Sequence, residues 1–383
     1  MFASSSQFFV MSPILSQIGA QLDIVESLRG TLITAYAVTL GIAALMIGPI
    51  SDRLGRRKIL LFGAGAMAIS LFMHQLAMDY WSMLSFRILA GAAGGVLTGS
   101  CVAYIGDYFP SAKKGQINGI VATGSAAGQI LGIPLGTILA GEIGFYAPFH
   151  FFGAVMIIAF FVILWKVPQP NVKLSTCPTD LHHSIKKYWE ILQHPSVKTI
   201  ALGYGLMFLS FSSFIVYFPT WLENSFRINS YDIALLFLIG GLATVFTGPI
   251  AGFISDKTGR KQILIFTNLL LVIVMPLSVF FLNMQSNMYL LAFFIIMLLI
   301  VARMVPFQAL ASEIIGDEQR GRMMSLTISI GQFGMALGSG VSGYIYSHIG
   351  FIGNATLAAI ASFMMALLIQ KYIPDTGLVK SKT

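Results

Sequence analysis

Charged residues are scarce in this chain: Asp, Glu, Lys and Arg together make up 10% of its 383 residues. An average soluble domain carries about 25% of such residues. Apolar residues make up 56%, and the mean hydropathy is +0.81. A soluble domain cannot cover that much apolar surface with polar groups. The scarcity of charge therefore excludes a soluble globule and indicates that lipid surrounds most of the chain.

Cysteine and histidine are also rare, with two and six residues. Cys101 falls in an apolar run and Cys177 in a polar connection, so we expect no structural disulfide. The histidines have no carboxylate partners at the spacing of a metal site, and no glycine-rich phosphate loop is present. These absences argue against an integral-membrane enzyme, a resident metal or cofactor, and a nucleotide-driven machine.

Twelve apolar stretches account for most of the chain. A spanning helix needs about 20 apolar residues, whereas a spanning strand is shorter and alternates in polarity. The sequence therefore predicts an all-α integral membrane protein. We place its segments one to twelve at 3–22, 29–50, 59–77, 81–104, 117–140, 147–167, 199–220, 231–254, 262–282, 287–311, 323–346 and 350–371.

The distribution of Lys and Arg indicates the topology. Successive connections lie on opposite sides of the membrane. Nineteen of the 23 residues fall in the connections of one side and in the C-terminal tail, and two (Arg29 and Arg227) fall in connections of the other side. The last two (Arg87 and Arg303) fall inside apolar segments. Cytoplasmic connections are enriched in Lys and Arg. We therefore predict that both termini are cytoplasmic, and we assign the net charge of +8 to topology rather than to a nucleic-acid partner.

A polar connection with four prolines divides the chain into two halves of six segments. We predict an N-terminal bundle at 1–167, a cytoplasmic linker at 168–198 and a C-terminal bundle at 199–383. Within the linker, apolar residues recur at helical spacing beside two lysines, which favours an amphipathic helix on the inner leaflet over a solvated linker. These residues are Leu181, Ile185, Tyr188, Trp189 and Leu192, with Lys186 and Lys187.

A short motif occurs twice, once after segment two and once after segment eight. The copies share glycine, serine, aspartate, a basic residue, a second glycine and an arginine at a constant offset of 204 residues. At an offset of 206, glycines of segment five also align with glycines of segment eleven. The halves therefore form a parallel repeat. The first copy contains Gly48, Asp52, Arg53, Gly55 and Arg56, and the second Gly252, Asp256, Lys257, Gly259 and Arg260.

The first copy resembles the signature that the major facilitator superfamily carries between its second and third helices. The resemblance extends to the number of segments, the two halves, the linker and the weaker second copy. It implies two pseudo-symmetric six-helix bundles and a secondary transporter that works by alternating access. In such a motif Gly48 would allow close helix approach and Gly55 a tight turn.

The resemblance also implies that the motif is a gate. Asp52 would face the start of segment eleven, near residues 322–325, where the positive end of the helix dipole attracts a carboxylate. Arg53 and Arg56 would complete a charge cluster that closes the cytoplasmic side, and Asp256 would repeat this arrangement against segment five. The alternative is a merely basic loop, which explains the arginines but not the repeated glycine-to-aspartate spacing.

Arg87 and Arg303 are charges within apolar segments, a placement that costs at least about 2.5 kcal/mol. Arg87 and Gly91 are similar to a second motif of the family, which implies proton coupling or gating, and a snorkelling arginine is the alternative. Arg303 lies in segment ten, which lines the central cavity in the family, so we expect it to bind an anionic substrate group or to act in gating. Its alternative is a structural pair with a helix carbonyl or with Gln332. Further cavity candidates are Tyr36, Gln129, Tyr204, Tyr217, Gln308 and Gln332.

Segment five carries a glycine ladder with a proline, formed by Gly128, Gly132, Pro134 and Gly136. It resembles the antiporter motif of the family, with the proline shifted and the last glycine replaced. The resemblance favours export, and we expect the glycine face to pack against segment eight. Ordinary small-residue packing is the alternative.

Acidic residues are missing from the interior of every apolar segment. Proton-coupled transporters usually carry one, so the candidates for coupling are Asp52, Asp107, Glu313 and His74. From the resemblance, we expect a monomeric transporter of the bacterial inner membrane that exports a small organic solute by proton antiport. Arg303 raises the possibility that this solute is anionic. The transporter's other partner is membrane lipid. The alternatives are an importer of an organic anion or sugar derivative, and a transporter-like sensor or membrane enzyme.

Overall fold

The computed structural model describes residues 1–170, 190, 192–193, 195–284, 288–314 and 320–373, and these are helical apart from short connections. The predicted amphipathic helix of the linker lies mostly at 171–189, outside the described residues. In chain order the helices are α1 (Phe2–Phe9), α2 (Leu15–Gln21), α3 (Glu26–Arg29), α4 (Thr31–Leu54), α5 (Arg56–Met73), α6 (Tyr80–Tyr108), α7 (Ser111–Ala127), α8 (Ile133–Glu142), α9 (Ala147–Lys166), α10 (Pro195–Ile215), α11 (Phe218–Phe226), α12 (Ser230–Thr258), α13 (Arg260–Met284), α14 (Tyr289–Ile314), α15 (Arg320–Ile349) and α16 (Phe351–Tyr372).

Ten spans among the described residues are long and apolar enough to cross a membrane, and they correspond to segments two to ten and segment twelve. The other two predicted segments are helical as well. Segment one is divided into α1 and α2, and segment eleven is the glycine- and serine-rich α15. The prediction of an all-α membrane protein is therefore confirmed, and the helices are consistent with twelve segments.

The chain divides into two units, one of Met1–Lys187 with Asn229–Ala234 and one of Tyr188–Ile228 with Leu235–Thr383. Within the first unit, segment one packs on segment five and segment three on segment six. Within the second unit, segment seven packs on segment eleven and segment nine on segment twelve. These are equivalent pairs under the sequence repeat, so both pairings recur in each unit. The bundle boundaries at 167 and 199 stay predictions.

Local sequence sets several helix boundaries. α6 begins after a capping box in which an Asp79 oxygen accepts a hydrogen bond from the Ser82 amide at 2.8 Å, and Ser82 Oγ accepts one from the Asp79 amide at 3.1 Å. The hydrogen bonds from Ser82 lower the pKa of the Asp79 carboxyl. α4 and α12 end at Gly55 and Gly259, whose φ angles of +95° and +99° favour glycine. The tight turn expected in the first motif copy is therefore present in both copies.

Segments one and seven are both interrupted. α1 ends at Phe9 and α2 begins at Leu15, with Pro13 in the turns between them, and Pro219 lies at the start of α11 just after the break that follows α10. A proline lacks the amide hydrogen that a helix interior needs. Pro13 and Pro219 are 206 residues apart, the offset that aligns the glycines of segments five and eleven. The breaks thus follow the repeat, a signal that the sequence analysis missed.

The glycine face of segment five packs against α1. A Cβ atom at Gly128 would lie 2.5 Å from the carbonyl oxygen of Phe2, and one at Gly136 would lie 2.6 Å from Val10 Cγ2. Ser6 Oγ donates a hydrogen bond to the Gly128 carbonyl at 3.0 Å. Within the first unit the partner of this face is therefore α1, and its packing on segment eight stays a prediction. A glycine ladder shows that another backbone comes close, but the ladder does not specify which one.

This packing predicts opposite effects for two alanine substitutions in segment five. Gly128→Ala should lower the free energy of unfolding by about 1–3 kcal/mol, because the backbone of α1 must move away. Gly119→Ala is the matched control, since a Cβ there meets no atom within 4 Å, and it should stabilise the helix by up to about 1 kcal/mol. Thermal unfolding of the purified variants measures both effects. A Gly128→Ala variant that melts at or above the wild-type temperature would contradict the packing.

Candidate functional site

The first motif copy forms an N-terminal charge cluster of Asp52, Arg56 and Asp107. The Arg56 guanidinium makes ion pairs with Asp52 at the end of α4 and, at 2.7 Å, with Asp107 at the end of α6. It also donates to Ser51 Oγ and, at 3.4 Å, to the Gly48 carbonyl. The Arg56 side chain is only 12% exposed, although Asp52 is largely solvated. One cation therefore ties together the ends of two segments.

The second copy forms a C-terminal charge cluster with the same design. Arg260 makes ion pairs with Asp256 at 3.2 Å and with Glu313 at 2.5 Å. Glu313 ends segment ten and lies 206 residues after Asp107, so the third member of the cluster is repeated too. Both acids were predicted as candidates for proton coupling and not as partners of the motif arginines. The common offset was the signal that would have found them.

Other motif residues have different surroundings from those expected. Arg53 is exposed and belongs to no ion pair between described residues, whereas the Lys257 ammonium lies 4.2 Å from the centre of the Phe253 ring. A Cβ at Gly48 would meet no atom within 4 Å, so the expected close helix approach at Gly48 was wrong within this unit. Gly48 contributes its carbonyl oxygen instead. The side chains at 322–325, the predicted partners of Asp52, lie outside the description.

Arg87 lies at the centre of a polar cluster inside the first unit and is fully buried. Its Nη1 donates to Gln7 Oε1 at 3.0 Å, and its guanidinium carbon lies 4.5 Å from the centre of the Tyr36 ring. Gln7 Nε2 in turn donates to the Tyr36 hydroxyl at 2.7 Å. The structure thus brings Arg87 and Tyr36 together, as two of the predicted site residues, and adds Gln7 of α1. A snorkelling arginine does not fit this burial.

Arg303 is the second fully buried arginine, and it lies inside the other unit. Its Nη1 donates to Asn268 Oδ1 at 3.2 Å and to Ser362 Oγ at 3.0 Å. Its Nη2 donates to the Met207 carbonyl at 3.1 Å and to Ser210 Oγ at 3.4 Å. These partners belong to segments seven, nine and twelve and do not include Gln332. The contacts favour the structural alternative, in which Arg303 holds segment ten to three neighbours.

The remaining predicted residues are dispersed. Tyr217 is buried at the break in segment seven and stacks on Tyr346, with ring centres 5.1 Å apart. Gln129, in the π-helical turn Gly128–Gly132 of segment five, and Gln308 of α14 have exposed side chains. The amide oxygen of Gln332 is buried without a described hydrogen-bond partner. Groups of His, Cys, Asp and Glu that could hold a metal ion do not occur among the described residues.

Comparison with known proteins identifies the family. A sequence profile of the Major Facilitator Superfamily matches residues 1–300 and 200–382. The chain belongs to this superfamily. Members of the superfamily are transporters and not enzymes, so the fold, the repeated charge clusters and the interrupted segments belong to a multi-pass membrane transporter.

Several bacterial relatives resemble this superfamily member over much of its length. The MFS-type transporter YceJ of Bacillus subtilis (strain 168) is 27% identical over 98% of this chain and 95% of its own length. The multidrug resistance protein MdtG of Proteus mirabilis (strain HI4320) is 28% identical over 70% of this chain and 67% of its own. The quinolone resistance protein NorA of Staphylococcus aureus is 25% identical over 60% of this chain and 58% of its own.

Solved structures share the fold at low sequence identity. The crystal structure of a D-xylose-proton symporter superposes with a TM-score of 0.78 at 18% identity and covers 98% of this chain and 96% of that one. A bacterial homologue of the human lysosomal transporter Spinster gives a TM-score of 0.77 at 15% identity, with 98% and 95% covered. These similarities establish the architecture of the transporter.

Proposed function

We propose that this protein is a secondary transporter of the bacterial inner membrane that exports a small organic solute by proton antiport. The observation that carries this proposal is the repeated interruption of segments one and seven beside buried polar residues. In transporters, proline-interrupted segments at corresponding positions of two halves mark the binding site. Gln7 lies within one turn of the first break and Tyr217 lies at the second, so each unit has a buried polar side chain beside its break.

The two charge clusters suit a transporter that alternates between conformations. Each guanidinium holds two carboxylates from segment ends that are far apart in sequence. Such a cluster forms in a conformation that brings these ends together and is lost when they separate. The free energy of its ion pairs therefore biases the equilibrium between conformations. We assign the clusters a gating role, with Arg56 and Arg260 as the central cations.

Export is supported by the names of two relatives, a multidrug resistance protein and a quinolone resistance protein. The described interior of each segment lacks a carboxylate that would carry a proton, which leaves Asp52, Asp107, Glu313 and His74 as candidates for coupling. A quinolone is a suitable first solute for a test, because it is the class named for one relative.

Transport into inside-out membrane vesicles tests this function. Vesicles that contain the protein and maintain an acidic interior should accumulate a quinolone or another organic solute at least about threefold above protein-free vesicles, because export in the cell is import into these vesicles. The accumulation should disappear with a protonophore, and addition of the solute should release protons from the vesicles. Uptake only by right-side-out vesicles would show an importer. Solute movement that ignores the proton gradient would contradict antiport.

A further inference from the structure

The guanidinium of Arg87 has one edge without partners. Nη1 is bound to Gln7, and the face of the group lies over the Tyr36 ring. Nε and Nη2 are buried and make no described hydrogen bond. These two nitrogens point in the same direction from the planar group, at the spacing of the two oxygens of a carboxylate. A buried, unpaired edge of this kind has the geometry of a bidentate anion site.

Arg303 provides an internal comparison. Both of its terminal nitrogens are engaged by side chains or a carbonyl, and only Nε is without a described partner. An oxyanion cannot form two parallel hydrogen bonds to a single free nitrogen. Of the two buried arginines, only Arg87 therefore keeps an edge for a ligand. The sequence-based expectation was different, since it gave Arg303 the role of binding an anionic substrate group or of acting in gating.

The surroundings of Arg87 do not neutralise its charge. The ion pairs between described residues involve Arg56 and Arg260 and not Arg87. The described side chains in contact with the guanidinium are Gln7, which is uncharged, and Tyr36, whose free phenol ionises only at about pH 10. A buried cation without a counter-ion is unfavourable, and an anionic ligand on the free edge compensates for it.

We infer that the Nε–Nη2 edge of Arg87 binds a carboxylate group of the transported solute. This inference rests on the proposed function, since it names the chemical class of the solute and the residue that recognises it. Gln7 fixes the opposite side of the guanidinium from α1, close to the break before α2. The bound ligand would therefore lie next to the interrupted segment one. A small movement of α1 at this break would open or close access to the buried Nε–Nη2 edge.

Thermal unfolding of the purified full chain tests the inference with matched pairs of small probes. Benzoate and hexanoate should raise the melting temperature, whereas benzamide and hexanamide should not, because the amides lack the negative charge and the second acceptor oxygen. Arg87→Lys keeps the charge but not the two-nitrogen edge, and it should weaken benzoate binding at least about tenfold. The exposed Arg227→Lys is the control and should bind benzoate like the wild type.

A second variant keeps the test decisive if Arg87→Lys does not fold. Gln7→Glu is nearly isosteric and gives Arg87 a carboxylate from the chain itself. It should abolish stabilisation by benzoate relative to its own melting temperature without ligand, which also reflects the lost Nε2 hydrogen bond to the Ser4 carbonyl. The inference is overturned if carboxylates do not shift the melting temperature of the wild type. Equal stabilisation by the amides, or benzoate binding that is unchanged in Arg87→Lys or Gln7→Glu, overturns it as well.

Vesicle transport separates this inference from the proposed function. If inside-out vesicles accumulate a cationic or neutral solute equally with wild type and Arg87→Lys, the carboxylate site is wrong and export stands. If carboxylates bind in a manner that depends on Arg87, but vesicles move no solute of any class, the site stands and export is wrong. Uptake of benzoate that is lost in Arg87→Lys supports both.

Discussion

Arg56→Gln is expected to reduce the rate of solute transport about tenfold or more while changing the melting temperature by little. The guanidinium is the only group of the N-terminal charge cluster that contacts both Asp52 and Asp107. Without the guanidinium, the two carboxylates repel each other. The conformation in which the C-terminal ends of α4 and α6 lie close together is then less stable. A shift of about 1.4 kcal/mol changes the ratio of two conformations tenfold. Both carboxylates stay in contact with solvent, and ion pairs of this kind contribute about 1 kcal/mol or less each to folding, so unfolding is affected less.

Lys58→Gln is the matched control for this prediction. Lys58 lies in the same first turn of α5 and is exposed, so its removal changes the net charge equally without touching the cluster. Uptake into inside-out vesicles, at equal protein content, gives the rates for both variants. Arg260→Gln should repeat the loss in the C-terminal charge cluster, because it separates Asp256 from Glu313. Equal rates for Arg56→Gln and Lys58→Gln would show that the cluster does not gate transport.

Arg303→Ala should lower the free energy of unfolding by about 3 kcal/mol or more, the largest effect on stability that we expect from a single polar residue. The substitution leaves a cavity among segments seven, nine, ten and twelve. It also removes the donor that satisfies Asn268 Oδ1 inside the unit, whereas the Ser362 hydroxyl keeps its hydrogen bond with Ser210 Oγ at 2.8 Å. Buried acceptors that lose their donors cost about 1–3 kcal/mol each. The melting temperature of the purified variant is the measurement.

Two further variants interpret that result. Arg303→Lys retains the charge and some donors, so its melting temperature should lie between those of Arg303→Ala and the wild type. Arg227→Ala, in an exposed position, should change stability by less than about 0.5 kcal/mol. If Arg303→Ala instead melted like the wild type and lost the stabilisation by benzoate, Arg303 would hold the substrate and the structural assignment would be wrong.

Much of the fold was predictable because the insertion of a segment into a membrane depends on the summed hydropathy of its consecutive residues. The length and apolar character of each segment can be counted from the sequence, and ten of the twelve segments meet those criteria in the structure as well. The repeat was also visible. The tight turn predicted at Gly55 is present, and Gly259 of the second copy makes an equivalent turn. The interruption of segments one and seven was equally readable, as Pro13 and Pro219 at the same offset, but it was overlooked.

The contacts of the polar residues were less predictable. The glycine ladder of segment five was recognised, yet its contact with α1 was not foreseen. Asp107 and Glu313 were placed at segment ends, yet their pairing with Arg56 and Arg260 was not foreseen. In each case the residue type required a close partner, while several segments could have supplied it.

By itself, the sequence determined that the chain lies in a membrane, that it is helical, and that its two halves repeat one design, since these properties follow from hydropathy and from residue spacing. Only the tertiary structure decided which buried arginine is saturated by its neighbours and which keeps a free edge. Hydrogen bonds depend on ångström distances between segments that are 35 to 96 residues apart, as for Arg303 with Asn268 and Met207. Such distances are set by packing, which no local pattern in the sequence encodes.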